Sequence, residues 1–321
     1  MFMYDTIVAS AFRRDVVQGL SAAQKALSSK YFYNAAGDEL FQQIMACPEY
    51  YLSRAEEQLL RNYSAAIMRT CAEKLGEFDI VELGAGDGSK TVHLLHEALH
   101  QGSSRRYVPI DISASIVEYL HDTLAPQLGG LAIDGIVGEY LPALEQALAD
   151  SPRPKLVLFL GATIGNLLPA EAWAFCWQLH NQLRPGDLLL VGFDLKKDPA
   201  TILAAYNDQA GLTKAFNLNL LQRINDELGG NFDLEAFAHY PVYDPATGAC
   251  KSYLISQRPQ RVTFDDGTTF EFAQYEPIYM EVSQKYSLPE IDELGRAAGF
   301  VPVHTYFEAH RCFADVLWQR H

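Results

Sequence analysis

The stretch FDIVELGAGDGSK, residues 78 to 90, constrains what this chain can fold into more than any other part of it. The mostly apolar run from Phe78 to Val81 predicts a buried parallel strand. Glu82 follows, then Gly84, Gly86 and Gly88, and a helical pattern begins near Ser89. Glycines at alternate positions allow a tight turn and let backbone N–H groups come close to a ligand. The helix N-terminus behind them adds a partial positive charge. The spacing is Gly-x-Gly-x-Gly behind an acid, which differs from the Gly-x-Gly-x-x-Gly of dinucleotide-binding turns.

Strands and helices alternate beyond this loop, as in a doubly wound α/β sheet. RYVPIDI is read as the second strand, ending around Asp111, with a helix from Ser113. LAIDGIVGEY is the third strand, LPALEQALAD a helix, KLVLFLG the fourth strand, and DLLLVGFDL the fifth, after a helix that begins at Pro169. Ligands of such sheets sit at the carboxyl ends of the strands. Gly84 to Gly88, Asp111, Glu139 with Tyr140, Gly161 to Asn166 and Asp194 should therefore face one crevice. A carboxylate at the position of Asp111 can accept both hydroxyls of a ribose.

From residue 196 the alternation stops. A long, broken helical stretch leads into β-rich sequence with YPVYD, KSYLISQ, RVTF and TFEFAQ as strands. A βα pattern returns in SLPEIDELGRAAGF and the closing pair VPVHTYFE and ADVLWQRH. Two lobes are expected: residues 61–195 with 286–321 as the sheet domain, and 1–60 with 196–285 as a second, α+β lobe. In the N-terminal part, Val16, Leu20, Ala23 and Leu27 share a stripe. Asp38 is placed to cap a helix from Glu39 to Ala46 that Pro48 stops. Ser53 and Glu56 have the capping-box spacing for a helix running to about Lys74. Tyr31, Phe32, Tyr33, Tyr50 and Tyr51 cluster ahead of the glycine loop, where packing between lobes is the alternative to a binding role.

Twenty-five basic against forty acidic residues give a net charge of −15, so the surface field repels a nucleic-acid backbone and favours a small-molecule substrate over DNA or RNA. No run reaches the roughly 18 apolar residues of a membrane span, and the N-terminus lacks the pattern of a leader, so no membrane partner and a cytoplasmic location are expected. The five cysteines are scattered and odd in number, which fits reduced thiols better than disulfides or a zinc site. A monomer is compatible with all of this. HEALH, residues 96 to 100, matches the His-Glu-x-x-His zinc pattern. However, Val92, Leu95 and Leu99 form the stripe expected to face the sheet, which turns His93, His96 and His100 outward, so no metal is expected there. No Gly-x-Ser-x-Gly elbow points to a hydrolase.

An acid two residues before the first glycine resembles motif I of the class I S-adenosylmethionine-dependent methyltransferases. Further strings extend the resemblance across nearly the whole chain: YFYNAAGDELFQQI, PEYYLSRAEEQLL, YVPIDIS, FLGATIGNL, RPGDLLLVGFDLKKD, AAYNDQAGLTKAFNLNLL, NFDLEAF and MEVSQKY. Together they resemble the histidine-specific Nα-methyltransferases, which form hercynine, the trimethyl betaine of histidine, in ergothioneine biosynthesis. The resemblance implies a class I Rossmann-like methyltransferase domain with an inserted substrate lobe, and S-adenosylmethionine as methyl donor, released as S-adenosylhomocysteine. It implies that Gly84, Gly86 and Lys90 line the donor site, that Asp111 holds the ribose, and that Glu139 and Tyr140, where the family usually has Asp-Phe, flank the adenine. On the acceptor side it implies that Tyr50, Asn166 and Tyr206 grip the amino and carboxylate groups, that Tyr33 lies by the reacting amine as the catalytic residue, and that Glu281 and Ser283 bond the imidazole.

Ser252 stands where the family commonly has methionine, which makes one wall of the side-chain pocket smaller or more polar. Thiohistidine, tryptophan or tyrosine is the nearest alternative acceptor. A non-catalytic sensor of the cofactor or of an amino acid is the alternative from another class.

Overall fold

The apolar run after Phe78 becomes a strand with no exposed residue, paired in parallel on both sides. The computed structural model describes residues 2–321, with side chains from residue 11 onward. Along the chain, α1 (Phe2–Ser21), α2 (Ala35–Ala46) and α3 (Tyr51–Leu75) precede β1 (Asp79–Leu83), α4 (Val92–Gln101), β2 (Arg106–Asp111) and α5 (Ala114–Gln127). Next come β3 (Ala132–Ile133), β4 (Ile136–Val137), α6 (Tyr140–Ala149), β5 (Lys155–Phe159), α7 (Pro169–Gln182) and β6 (Leu188–Asp194). After α8 (Pro199–Ala205) and α9 (Leu212–Leu228) there are five strands: β7 (Phe237–Asp244), β8 (Ala249–Ser256), β9 (Gln260–Thr263), β10 (Thr269–Phe272) and β11 (Pro277–Gln284). The chain closes with α10 (Leu288–Ala297), β12 (Phe300–Phe307) and β13 (Phe313–Arg320).

Two compact units result: residues 52–196 with 284–321, and residues 1–51 with 197–283. Residues 52–60, grouped by the sequence with the second lobe, cluster with the sheet because α3 runs on unbroken through them.

The sheet unit has strand order β12-β13-β6-β5-β1-β2-β3, with β4 also on β2. The strands from β3 to β6 run parallel, and β13 lies antiparallel to both β6 and β12. This is the doubly wound α/β sheet of class I methyltransferases, ending in a reversed hairpin. The order reverses between β1 and β5, which sets a ligand crevice at their carboxyl ends. The expected third strand is two dipeptide strands instead. It breaks at Gly135, where a Cβ would lie 2.3 Å from Val117 Cγ1. The core packs β1, β2, β5, β6 and β13 against α6, α7 and α10, with Trp318 fully buried.

The inserted segment leaves and returns at one place. Lys196 N–H donates to Tyr286 O at 2.9 Å, and Tyr286 N–H donates to Asp194 O at 3.0 Å. Beside them Lys285 and Asp194 form a fully buried ion pair at 2.7 Å. Asp194 therefore closes the sheet at the insertion point, and the crevice position expected of it is corrected. On α4 the buried residues are Leu94, Leu95 and Ala98, so the helix is turned by about one residue from the expected stripe, while His96 and His100 are exposed.

The other unit packs α1, α2 and α9 with the three-stranded sheet β11-β8-β7 and the hairpin β9-β10. Val16, Leu20 and Leu27 enter its core, whereas Ala23 lies beyond the end of α1 and is exposed. The cap of α2 is Asn34, whose side chain accepts the Gly37 N–H at 2.8 Å. Asp38 sits in the first turn instead of at the cap. Strand β11, which carries Glu281 and Ser283, is an additional strand beyond the four read from the β-rich stretch.

Candidate active site

In the sheet unit the glycine loop lies at the carboxyl end of β1, with Gly84, Gly86 and Gly88 all at positive φ (74°, 54° and 69°). A Cβ on Gly86 would meet nothing within 4 Å, so the loop is open above its middle glycine. A Cβ on Gly84 would lie 2.9 Å from the Tyr140 hydroxyl. Only glycine fits that close approach. Asp111 ends β2 beside the loop. Its carboxylate accepts the Ser113 N–H at 3.0 Å and the Gly86 N–H at 3.4 Å. Burial raises the Asp111 pKa above the usual carboxylate value, against the pull of these two donors.

Glu139 occupies the N-cap position of α6, exposed and without a capping bond from its side chain. The Tyr140 ring packs edge-on against Phe159 and Phe175, at centroid distances of 5.8 and 6.1 Å. Burial pushes its phenol up to about 12. Lys90 reaches from the loop to the buried carboxylate of Glu56 at 2.5 Å. Asn166 ends the 3-10 turn Thr163–Asn166 that follows β5. Gly84, Gly86, Lys90, Asp111, Glu139, Tyr140 and Asn166 thus all lie at the carboxyl ends of the strands.

Glu82, the acid that marks the motif, turns into the protein. Its carboxylate accepts the Thr91 hydroxyl at 2.5 Å and the Tyr107 hydroxyl, tying β1 to β2 and to the start of α4. Burial raises its pKa from 4.5 to about 7, although both hydroxyls and Lys90 pull the other way.

In the other unit, aromatic rings run in sequence. Tyr33 meets Phe41 at 5.7 Å, Phe41 meets Tyr50 at 6.2 Å, and Tyr50 meets Tyr206 at 6.3 Å, each nearly edge-on. Tyr206, at the end of α8, donates its hydroxyl to Ser283 Oγ at 2.6 Å. Glu281 lies two residues earlier on β11, so its side chain projects from the same face as Ser283. Its Oε1 accepts from the Asn217 amide at 3.4 Å. This unit therefore brings together Tyr33, Tyr50, Tyr206, Glu281 and Ser283. Ser252 is buried on β8, the strand next to β11.

Two residues escaped the sequence reading. Asn217 is fully buried on α9 and gives its amide to Thr213 O and to Glu281. A polar residue inside an apolar helical stripe was its only signal. Glu56 sits inside α3, which begins at Tyr51, so the capping-box role is corrected. Its local spacing hid a partner thirty-four residues away.

The chain matches the family model described as "Histidine-specific methyltransferase, SAM-dependent" over residues 12–320. It is 39% identical to a histidine N-alpha-methyltransferase of Mycobacterium tuberculosis, covering 90% of this chain and 88% of that one. The identity is also 39% to the protein of that name from Mycolicibacterium smegmatis, over 87% and 85% of the two chains. A match of 32% identity to ergothioneine biosynthesis protein 1 of Neurospora crassa covers 86% of this chain and 31% of that longer protein. With nearly all of both units inside the match, the chain belongs to the histidine-specific, S-adenosylmethionine-dependent methyltransferases.

Proposed function

We propose that the enzyme methylates the α-amino nitrogen of L-histidine three times, giving hercynine, as a step of ergothioneine biosynthesis. The observation that carries this reading is the pairing on β11. A carboxylate held by an amide (Glu281 with Asn217) and a hydroxyl held by a phenol (Ser283 with Tyr206) stand on one face of the same strand. An imidazole has two ring nitrogens, and such a pair satisfies both, whereas an apolar side chain would offer neither group a contact.

The residues at the carboxyl ends of the strands fit S-adenosylmethionine. The glycine loop is open above Gly86, and Asp111 offers a carboxylate beside it. Gly84, Gly86, Lys90, Asp111, Glu139 and Tyr140 would hold that group, which supplies a sulfonium-bound methyl when present. Tyr50, Tyr206 and Asn166 would orient the amino acid through neutral donors and acceptors. Such groups align an amine without fixing its proton as firmly as a carboxylate would. Tyr33 would stand at the amine, as the phenol closest to the proton that must leave before each transfer.

A small-molecule acceptor is the only partner the reading requires. We place the reaction in the cytoplasm. Among the described residues, no helix is long and apolar enough to cross a membrane.

Isothermal titration with histidine, thiohistidine, tryptophan and tyrosine, in the presence of S-adenosylhomocysteine, tests the acceptor. Histidine should bind tightest. Tight binding of tryptophan or tyrosine without binding of histidine would overturn the imidazole assignment.

A further inference from the structure

Glu56 is an acid on an apolar helix face, fully buried among charged neighbours. Its two oxygens accept the Gly161 N–H at 2.8 and 2.9 Å, and Oε2 also accepts from Lys90 Nζ at 2.5 Å. Gly161 opens the turn after β5, with φ +76°, and a Cβ there would lie 3.4 Å from the Lys90 ammonium. The Lys90 head is thus set between a carboxylate of α3 and the turn that ends in Asn166. Its side chain keeps 23% exposure.

Room for this carboxylate comes from Gly192 in the middle of β6, where a Cβ would fall 2.2 Å from Glu56 Oε1 and 3.2 Å from Asp315 Oδ1. Asp315, on β13, is fully buried, and neither of its carboxyl oxygens has a hydrogen-bond partner among the described residues. Burial and the adjacent Glu56 raise its pKa well above the usual carboxylate value, against the pull of Lys90. Burial opposes the charge on Lys90, but Glu56, with Glu82 and Asp315 adding to it, raises the lysine pKa above its ordinary value.

Burying an ion pair costs more in desolvation than an apolar packing of the same volume would, so a fold that needed only cohesion would gain nothing from it. The arrangement does fix where the ammonium of Lys90 stands relative to two loops.

We propose that Glu56 is a positioning residue of the methyltransferase: its buried carboxylate fastens Lys90 of the glycine loop to the Gly161 turn, holding the ammonium ready for the carboxylate of the methyl donor. The inference rests on Lys90 lining the donor site. It goes further in assigning to a residue of α3, outside the loop, the geometry on which that contact depends.

The test uses Glu56→Gln, Glu56→Ala, Lys90→Met and the double variant Glu56→Gln/Lys90→Met. For each, titration gives the Kd for S-adenosylhomocysteine, steady-state kinetics give KM and kcat, and circular dichroism and thermal melting report on folding. Glutamine keeps the size of Glu56 and an acceptor for the Gly161 N–H, but not the charge. Glu56→Gln is therefore expected to raise Kd for S-adenosylhomocysteine and KM for S-adenosylmethionine about tenfold, with kcat within about threefold of wild type. In the Lys90→Met background the same change should add less than about twofold, because the two residues act as one unit.

Full affinity in a folded Glu56→Gln, or equal effects of that change with and without Lys90, would overturn the positioning role. Unchanged donor affinity in Lys90→Met would instead overturn the assignment of Lys90 to the donor site, which makes the two failures distinguishable. Should Glu56→Ala unfold, the isosteric glutamine variant and the cycle built on it still decide the matter.

Discussion

The Tyr206 hydroxyl donates to Ser283 Oγ at 2.6 Å, linking the end of α8 to β11 inside one unit. Both side chains are buried, and Ser283 gains a fixed orientation from the phenol. Tyr206→Phe removes the hydroxyl that the serine accepts from. Affinity for histidine should fall by about 1 to 2 kcal/mol, with the fold retained. Titration calorimetry read beside a thermal melt checks this. Unchanged affinity would place the pair outside the acceptor site.

Glu281 carries the imidazole assignment, and its carboxylate is already held by Asn217. Glu281→Ala should weaken histidine binding by about 2 to 4 kcal/mol, the range for losing a charge-assisted contact in a closed pocket. Affinity for S-adenosylhomocysteine alone should stay close to wild type. A variant that binds histidine normally would remove Glu281 from the site.

Stability should depend on pH through Glu82, whose pKa rises from 4.5 unfolded to about 7 in the folded protein because it is buried. Between these values the native state holds a proton that the unfolded chain releases. The benefit is fully present below pH 4.5 and is lost as pH rises through about 7. Glu82→Gln cannot ionise, so its stability relative to wild type should rise by about 3 kcal/mol from about pH 4.5 to 7.5. Urea unfolding of both proteins across that range measures the difference. A constant difference would mean that Glu82 titrates alike in both states.

Gly192→Ala puts a Cβ 2.2 Å from Glu56 Oε1, and that carboxylate is held by Gly161 and Lys90 and has no easy retreat. A cost of about 2 to 3 kcal/mol is expected, typical of overpacking in a closed core. Thermal melting should show a clear drop. No drop would show that Glu56 can move aside, which weakens any role that depends on its position.

The sheet was legible because its strands are continuous apolar runs between turn signals, and a strand, glycine loop and helix in succession leave few alternatives. Asp111 was readable for the same reason, as an acid at a strand end. The residues tied to distant partners were not readable in this way. Ser53 and Glu56 have the spacing of a local cap, and only the three-dimensional pairing of α3 with the loop and β6 exposes Glu56 as a buried carboxylate. Asp194 looked like a crevice acid until its partner, Lys285, arrived from across the insertion. The strand carrying Glu281 and Ser283 went unread because the turn before it is built on Tyr275 at φ 66° with no Gly, Asn or Asp, leaving Pro277 as the one mark of its start. Its place beside β8 depends on pairing between segments far apart in sequence. The residues of the acceptor side were named through the family resemblance, since spacing alone cannot bring Tyr33, Tyr50, Tyr206 and Glu281 together.

The central claim is tested most directly by the products. The purified enzyme would be incubated with S-adenosylmethionine and an equimolar mixture of histidine, tryptophan and tyrosine, with amino-acid products and S-adenosylhomocysteine followed by mass spectrometry. The expected result is loss of histidine alone, appearance of its Nα-trimethyl betaine, and three molecules of S-adenosylhomocysteine for each histidine consumed. Methylated tryptophan or tyrosine with histidine untouched, or no S-adenosylhomocysteine at all, would contradict it.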